Sequence, residues 1–255
     1  MGMDHRVHEL SSSSSPLRQH AYTDMSLWDI HRTQLPWLSL TSPDVYVDII
    51  RSLEAMGEEG GDVPRWPLAN IYTGCMIGNH AIPVVAEAVA KGYGHLFNVS
   101  KLYNLFKRHA TEPRHHAGRA NVAEYLHYGY VPHDDNEHAV PLTLAYAFDD
   151  ANLASIASYL GLTHDAATFA NRSNAAIRAG WSAEHEFMCP RTRDGTLKCP
   201  SLPFVPYPGS PHYVEGDAWQ WLWFVPSSPQ SLVKLFSTPS RFVDKLETFL
   251  QRARK

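Results

Sequence analysis

Residues 42–61 read SPDVYVDIIRSLEAMGEEGG, and this stretch sets the fold class. Ser42 is a candidate N-cap, Pro43 suits the first helical position, and Asp44 puts an acid in the first turn. Val45, Ile49, Leu53 and Met56 recur at helical spacing until Gly60-Gly61 stops the run. The same grammar extends outward in both directions. Ile82, Val85 and Val89 lead to a terminating Gly92, a further helix surrounds Leu102 to Lys107, and a long one runs from Ala139 to Leu160, closed by Gly161. Thr163 can cap the next. Helices resume at Ala218 to Phe224, at Pro229 to Phe236 behind Ser227-Ser228, and at Arg241 to Arg252, where Phe242, Leu246, Phe249 and Leu250 form one face. No strand pattern recurs with a partner. The fold class is therefore all-α, with consecutive helices joined by short connections as in a helical barrel or solenoid, although no solenoid period is present.

Between Trp181 and Tyr213 the helical period lapses, and prolines at 190, 200, 203, 206, 208 and 211 make this a long loop with room for one hairpin. Residues 1–20, with serines at 11–15, read as a flexible N-terminal segment, leaving 21–255 as one domain. Charged residues are only 19% of the chain and the net charge is −4, which argues against a nucleic-acid partner. No stretch approaches the roughly 18 apolar residues of a membrane helix. The first residues lack a signal-peptide core, so the chain as written reads as cytoplasmic. Three cysteines in a chain of this length are expected as reduced thiols, although Cys189 and Cys199 flank an Asp194-Gly195 turn that can bring them close.

The densest chemistry lies in Tyr213-Val214-Glu215-Gly216-Asp217-Ala218-Trp219-Gln220-Trp221, where acids and indoles share a helix start. Carbohydrate chemistry needs this combination: an indole covers an apolar sugar face while a partly desolvated acid protonates a leaving oxygen. The plainer alternative makes the tryptophans core and Glu215 an acid favoured by the helix dipole. A second cluster, Trp28, Asp29 and Arg32, stands within one helical turn and either holds sugar hydroxyls or forms an ordinary surface ion pair. The run His133-Asp134-Asp135-Asn136-Glu137-His138 mixes imidazoles and carboxylates but lacks metal-ligand spacing and suits a helix cap. Of the adjacent Asp149 and Asp150, at most one can face any one cavity. A GxSxG elbow and a Gly-rich phosphate loop are both missing from the sequence.

Four blocks carry a resemblance: YTDMSLWDIHRTQLPWLSL, GDVPRWPLANIYTGCMIGNHAIPVVAEAVAKG, YLHYGYVPHDDNEHAVPLTLAYAFDDANLASIA and YVEGDAWQWLWFVPSSPQSLVKLF. In content and order they resemble glycoside hydrolase family 92, the calcium-dependent exo-acting α-mannosidases. The resemblance implies an (α/α)6 barrel, incomplete in this chain, inversion at the anomeric carbon, and a Ca2+ ion that binds the mannose diol. It puts the general acid on Glu215 and sugar binding on Asp29 and Arg32, with Trp28 and Trp219 as substrate-facing rings. Glu215 is thus expected to line a concave pocket with Trp28, Asp29 and Trp219. Asp217 stands where the family usually has asparagine. The family's base-bearing and calcium-binding blocks, and its β-sandwich domain, have no counterpart in residues 1–255, so the resemblance implies an incomplete calcium site and low activity alone. The expected partners are an α-mannoside glycan, such as an N-glycan, and a complementary segment of the same enzyme. The competing reading is a non-catalytic remnant that binds mannose or is purely structural.

Overall fold

A computed structural model describes residues 1–8, 20–114, 117–201 and 212–252. The serine run, His115-His116 and prolines 203, 206, 208 and 211 lie outside the described residues. The all-α expectation is met: the described residues are mostly helical, and their strands are two antiparallel two-residue pairs. The chain divides into two compact units, Met1–Val122 with Asp149–Ala170, and Ala123–Phe148 with Asn171–Lys255.

In the first unit, α1 (Leu27–Ile30) and α2 (Gln34–Thr41) precede α3 (Pro43–Gly60). Pro43 opens α3 as expected, but the Ser42 side chain makes no capping hydrogen bond. The buried stripe of α3 is Tyr46, Ile49, Ile50, Leu53 and Met56, while Val45 is only half-buried. A short hairpin of β1 (Pro67–Leu68) and β2 (Ile71–Tyr72) leads to α4 (Ala81–Ala90), whose residues are buried almost all round. Helix α4 packs on α2, α3 and α5 (Val99–Thr111). Its carbonyl at Val84 accepts a 2.9 Å hydrogen bond from the buried Tyr46 hydroxyl. Asn98 caps α5 by accepting from the Lys101 amide at 3.0 Å. The α5 face Leu102, Tyr103, Leu105 and Phe106 closes the core, which includes Leu153, Ile156 and Phe169. Met3 is buried, and its amide donates to Glu59 at the end of α3.

Helix α6 (Val122–Tyr128) is an element that periodicity did not reveal. Helices α7 (Ala139–Tyr159) and α8 (Thr163–Ala179) contribute residues to both units, and Gly61 and Gly161 follow α3 and α7 in the left-handed conformation that ends a helix.

The second unit continues with the hairpin of β3 (Trp181–Ser182) and β4 (Phe187–Met188). A second hairpin follows, with Arg191 bridged to Leu197, and there Cys189 and Cys199 form a disulfide. This corrects the expectation of reduced thiols. The Thr192–Gly195 turn folds the segment back, so the two Cα atoms lie 4.8 Å apart, within bonding range. Helices α9 (Ala218–Trp221), α10 (Pro229–Val233) and α11 (Pro239–Arg252) complete it. The inward face of α11 differs from the apolar pattern: Leu250 is exposed and Lys245 is buried.

Candidate functional site

The second unit holds Glu215 on a turn that is locked on all sides. The buried Tyr213 hydroxyl donates to the Met188 carbonyl at 2.7 Å, and the Trp221 indole donates to the Val214 carbonyl at 2.9 Å. Asp217 is the N-cap of α9: its carboxylate accepts from the amides of Trp219 and Gln220, and Gln220 returns a bond to the Asp217 amide. Between these anchors Glu215 takes a left-handed backbone with φ of 48°, a conformation that costs a non-glycine residue about 1–3 kcal/mol. Its side chain is exposed while Gly216, Asp217 and Ala218 are buried. The turn therefore presents one carboxylate outward from an otherwise closed helix start.

Trp219, in α9, is a packing ring. It is 5% exposed, parallel to Phe249 with centroids 6.3 Å apart, and edge-on to Phe187 at 5.0 Å. The Lys245 ammonium sits 4.6 Å from its centroid and 3.7 Å from that of Phe187. Desolvation is the larger influence on this cation, and it pushes the Lys245 pKa down to about 8.

Trp28, Asp29 and Arg32 belong to the first unit, so the sequence-derived set is divided between the two units. Helix α1 is anchored by the fully buried Leu27, which leaves Asp29 exposed and Trp28 half-buried. The Ser26 hydroxyl donates to the Asp29 carboxylate. Arg32 folds over the Trp28 ring, 4.7 Å from its centroid, and donates from Nε to the Trp28 carbonyl at 3.2 Å. The Trp28 indole N–H is buried and, among the described residues, has no hydrogen-bond partner. This turn thus offers an exposed carboxylate and a half-buried indole ring, groups that suit sugar hydroxyls and an apolar sugar face.

Beneath it runs a polar chain that the motif reading missed. His31, directly after α1, bonds through Nδ1 to the Leu27 carbonyl at 2.8 Å, and its ring stacks on His80 with centroids 4.3 Å apart. His80 Nδ1 lies 3.2 Å from Asp149, which also accepts from the Asn79 amide at 2.7 Å. The Asn79 side chain meets His109 Nδ1, and His109 Nε2 meets Asp62 at 3.1 Å, where Arg114 also donates. Desolvation pushes the His31 pKa down to about 3, so that ring is neutral across the physiological range, and desolvation also lowers the pKa of His109. Histidines 31, 80 and 109 are scattered in sequence, and only the GNH turn at residues 78–80 could have drawn attention to one of them.

The two aspartates diverge as their adjacency requires: Asp149 joins this chain, while Asp150 is paired with Arg119 at 2.7 Å, both fully buried. The His133–His138 run serves as a clasp, with Asp134 accepting from the Arg193 amide and Asp135 paired with the Arg193 guanidinium. Among the described residues no group of three or more His, Cys, Asp or Glu side chains is placed to hold a metal. Asp217 and Gln220, which follow Glu215 in sequence, are committed to the capping box, so they do not fit a calcium ligand set.

With this geometry in place, comparison with known proteins gives a consistent result. The glycosyl hydrolase family 92 catalytic domain matches over residues 1–255. The chain is similar to a family GH92 α-mannosidase of Bacteroides thetaiotaomicron solved in complex with mannoimidazole, at 28% identity and a TM-score of 0.85, over 97% of this chain and 32% of that one. A GH92 inverting mannosidase from the same organism is 26% identical, with a TM-score of 0.82, over 91% of this chain and 32% of that one. Among curated protein sequences nothing matches. The chain spans about a third of the length of these solved relatives.

Proposed function

The chain belongs to glycosyl hydrolase family 92, and from that premise we propose that it carries the acid-bearing part of an inverting α-mannosidase acting on terminal α-mannosyl residues of glycans, N-glycans among them. The observation that carries this reading is the Glu215 turn. Five hydrogen bonds of its neighbours anchor a turn whose strained backbone at Glu215 leaves that carboxylate exposed, an arrangement that suits a proton donor to a glycosidic oxygen. In this proposal Glu215 is the general acid. Asp29 accepts sugar hydroxyls, Trp28 covers an apolar sugar face, and Arg32 holds the Trp28 ring and carbonyl in place.

An inverting glycosidase also needs a base on the opposite face of the sugar, about 6.5–9.5 Å from the acid, to activate water. We place that base and the calcium ligands in a complementary segment of the enzyme, and we route no step through a metal on these residues. The Cys189–Cys199 bridge favours an oxidising compartment over the cytoplasmic reading.

The test is hydrolysis of an aryl α-mannoside by the purified chain with excess calcium, using Glu215→Gln as the control. Acid and base assistance are each worth about 10²–10⁴ in rate, so turnover is expected to fall far below that of a full-length relative, with the residue of activity lost in the variant. Robust turnover abolished by Glu215→Gln would overturn the separate-base proposal, and turnover indifferent to it would overturn the acid assignment. Mannoside binding without any turnover would favour a non-catalytic remnant.

A further inference from the structure

We infer that the buried chain from His31 through His80 and Asp149 to Asn79, His109 and Asp62 sets the orientation of the Trp28–Asp29 turn, making His31 and His80 positioning residues for mannoside binding. This rests on the proposed role of Asp29. The connection is direct at every step. His31 grips the Leu27 carbonyl, the residue before Trp28, so the imidazole fixes the backbone from which Trp28 and Asp29 project. Its ring lies on His80, and His80 is held by Asp149 of α7 with both side chains essentially inaccessible. Gly78, at φ of 75°, makes room for that arrangement: a Cβ there would come within 2.6 Å of the His80 ring.

The chain gives each ring a single hydrogen-bonding sense, assigned from its partners. The Leu27 carbonyl requires a proton on His31 Nδ1, and Asp149 requires one on His80 Nδ1. Asp62 requires one on His109 Nε2, which leaves His109 Nδ1 to accept from Asn79. The turn has its own backbone bonds, from the Ile30 amide to the Ser26 carbonyl at 3.0 Å and from the His31 amide to the Leu27 carbonyl at 3.3 Å, but so short a helix is not stable in isolation, and its direction is set by its contacts with the rest of the unit. Apolar packing under Leu27 would hold α1 against the core without fixing its rotation. A donor aimed at one carbonyl, on a ring stacked against His80, which Asp149 of α7 holds in turn, fixes that rotation, and sugar contacts lose strength steeply when a binding group is displaced by an ångström.

The experiment is calorimetric titration of the full chain with mannoimidazole, with melting temperature recorded for every variant. Asp29→Asn is expected to weaken binding at least tenfold. His31→Phe keeps the stacked ring but removes the donor, and is expected to weaken binding about tenfold. His31→Asn, which places an amide nitrogen where Nδ1 stood, is expected to stay within threefold of the wild type. If wild type binds, Asp29→Asn does not, and His31→Phe binds like wild type, the positioning role is overturned while the Asp29 assignment stands. If wild type does not bind, or Asp29→Asn binds equally well, the Asp29 assignment fails and this inference falls with it. Should His31→Phe not fold, His31→Asn decides: retention within threefold supports the role, and a tenfold loss overturns it.

Discussion

Replacing Lys245 with methionine should make the protein more stable at neutral pH, and the size of the effect follows from the site. Lys245 is 7% exposed, packed over the Phe187 and Trp219 rings, and its pKa is pushed down to about 8 from an ordinary 10.5. That difference of about 2.5 pH units corresponds to about 3 kcal/mol at about 1.4 kcal/mol per unit, and it measures how much the folded state disfavours the charged amine. Because the folded pKa lies below the unfolded one, the penalty is complete below pH 8 and is relieved as pH rises toward 10.5. Methionine matches the stem in volume and keeps contact with both rings. Glu186 is not orphaned by the change, since Arg241 binds both its oxygens at 2.7 Å. The expected gain at pH 7 is about 1–3 kcal/mol, reduced from the full figure by the lost cation–π contact. The assay is urea denaturation followed by tryptophan fluorescence at pH 7.5, 8.5 and 9.5. Wild-type stability should rise across this range, and Lys245→Met should be higher at the start and nearly flat. A flat wild-type profile, or a variant less stable by more than about 1 kcal/mol, would refute the reasoning.

Reducing the Cys189–Cys199 bridge, whose residues are ten apart in sequence, should cost about 2–3 kcal/mol by loop-closure entropy and should appear as a lower urea midpoint under reductant. An unchanged midpoint would show that the hairpin is held by its other contacts alone. Asp150→Asn leaves the fully buried Arg119 guanidinium without its anionic partner and should destabilise by about 3–5 kcal/mol. A loss below about 1 kcal/mol by denaturant titration would mean that the charge is compensated elsewhere.

Much of the architecture was legible because capping and termination are local chemistry. Pro43 and Asp44 at the start of α3, and the glycines that follow α3 and α7, mark boundaries without reference to the rest of the fold. Where tertiary packing overrides pattern, legibility fails. Lys245 is buried and Leu250 exposed, since two aromatic faces beside Lys245 can solvate an ammonium, which apolar periodicity does not register. The disulfide depended on how tightly the Thr192–Gly195 turn folds back, which composition does not encode. Glu215 and the Trp28–Asp29 turn, which the proposal uses, stand in contiguous motifs and were open to sequence reading. The packing of Trp219 against Phe187 and Phe249 was not, because those rings come from β4 and α11. The histidine chain was illegible for a different reason. Its members come from residues 31 to 149, and their relation exists only once α1, α4, α5 and the end of α3 are brought around Asp149.

The most direct test of Glu215 as proton donor compares leaving groups. A dinitrophenyl α-mannoside releases a phenolate that needs no protonation, whereas a phenyl α-mannoside depends on the acid, which is worth about 10²–10⁴ in rate. With excess calcium, Glu215→Gln is expected to lose most of its activity on the phenyl substrate and little on the dinitrophenyl one. Equal fractional losses on both substrates, or none on either, would contradict the assignment of Glu215 as the general acid.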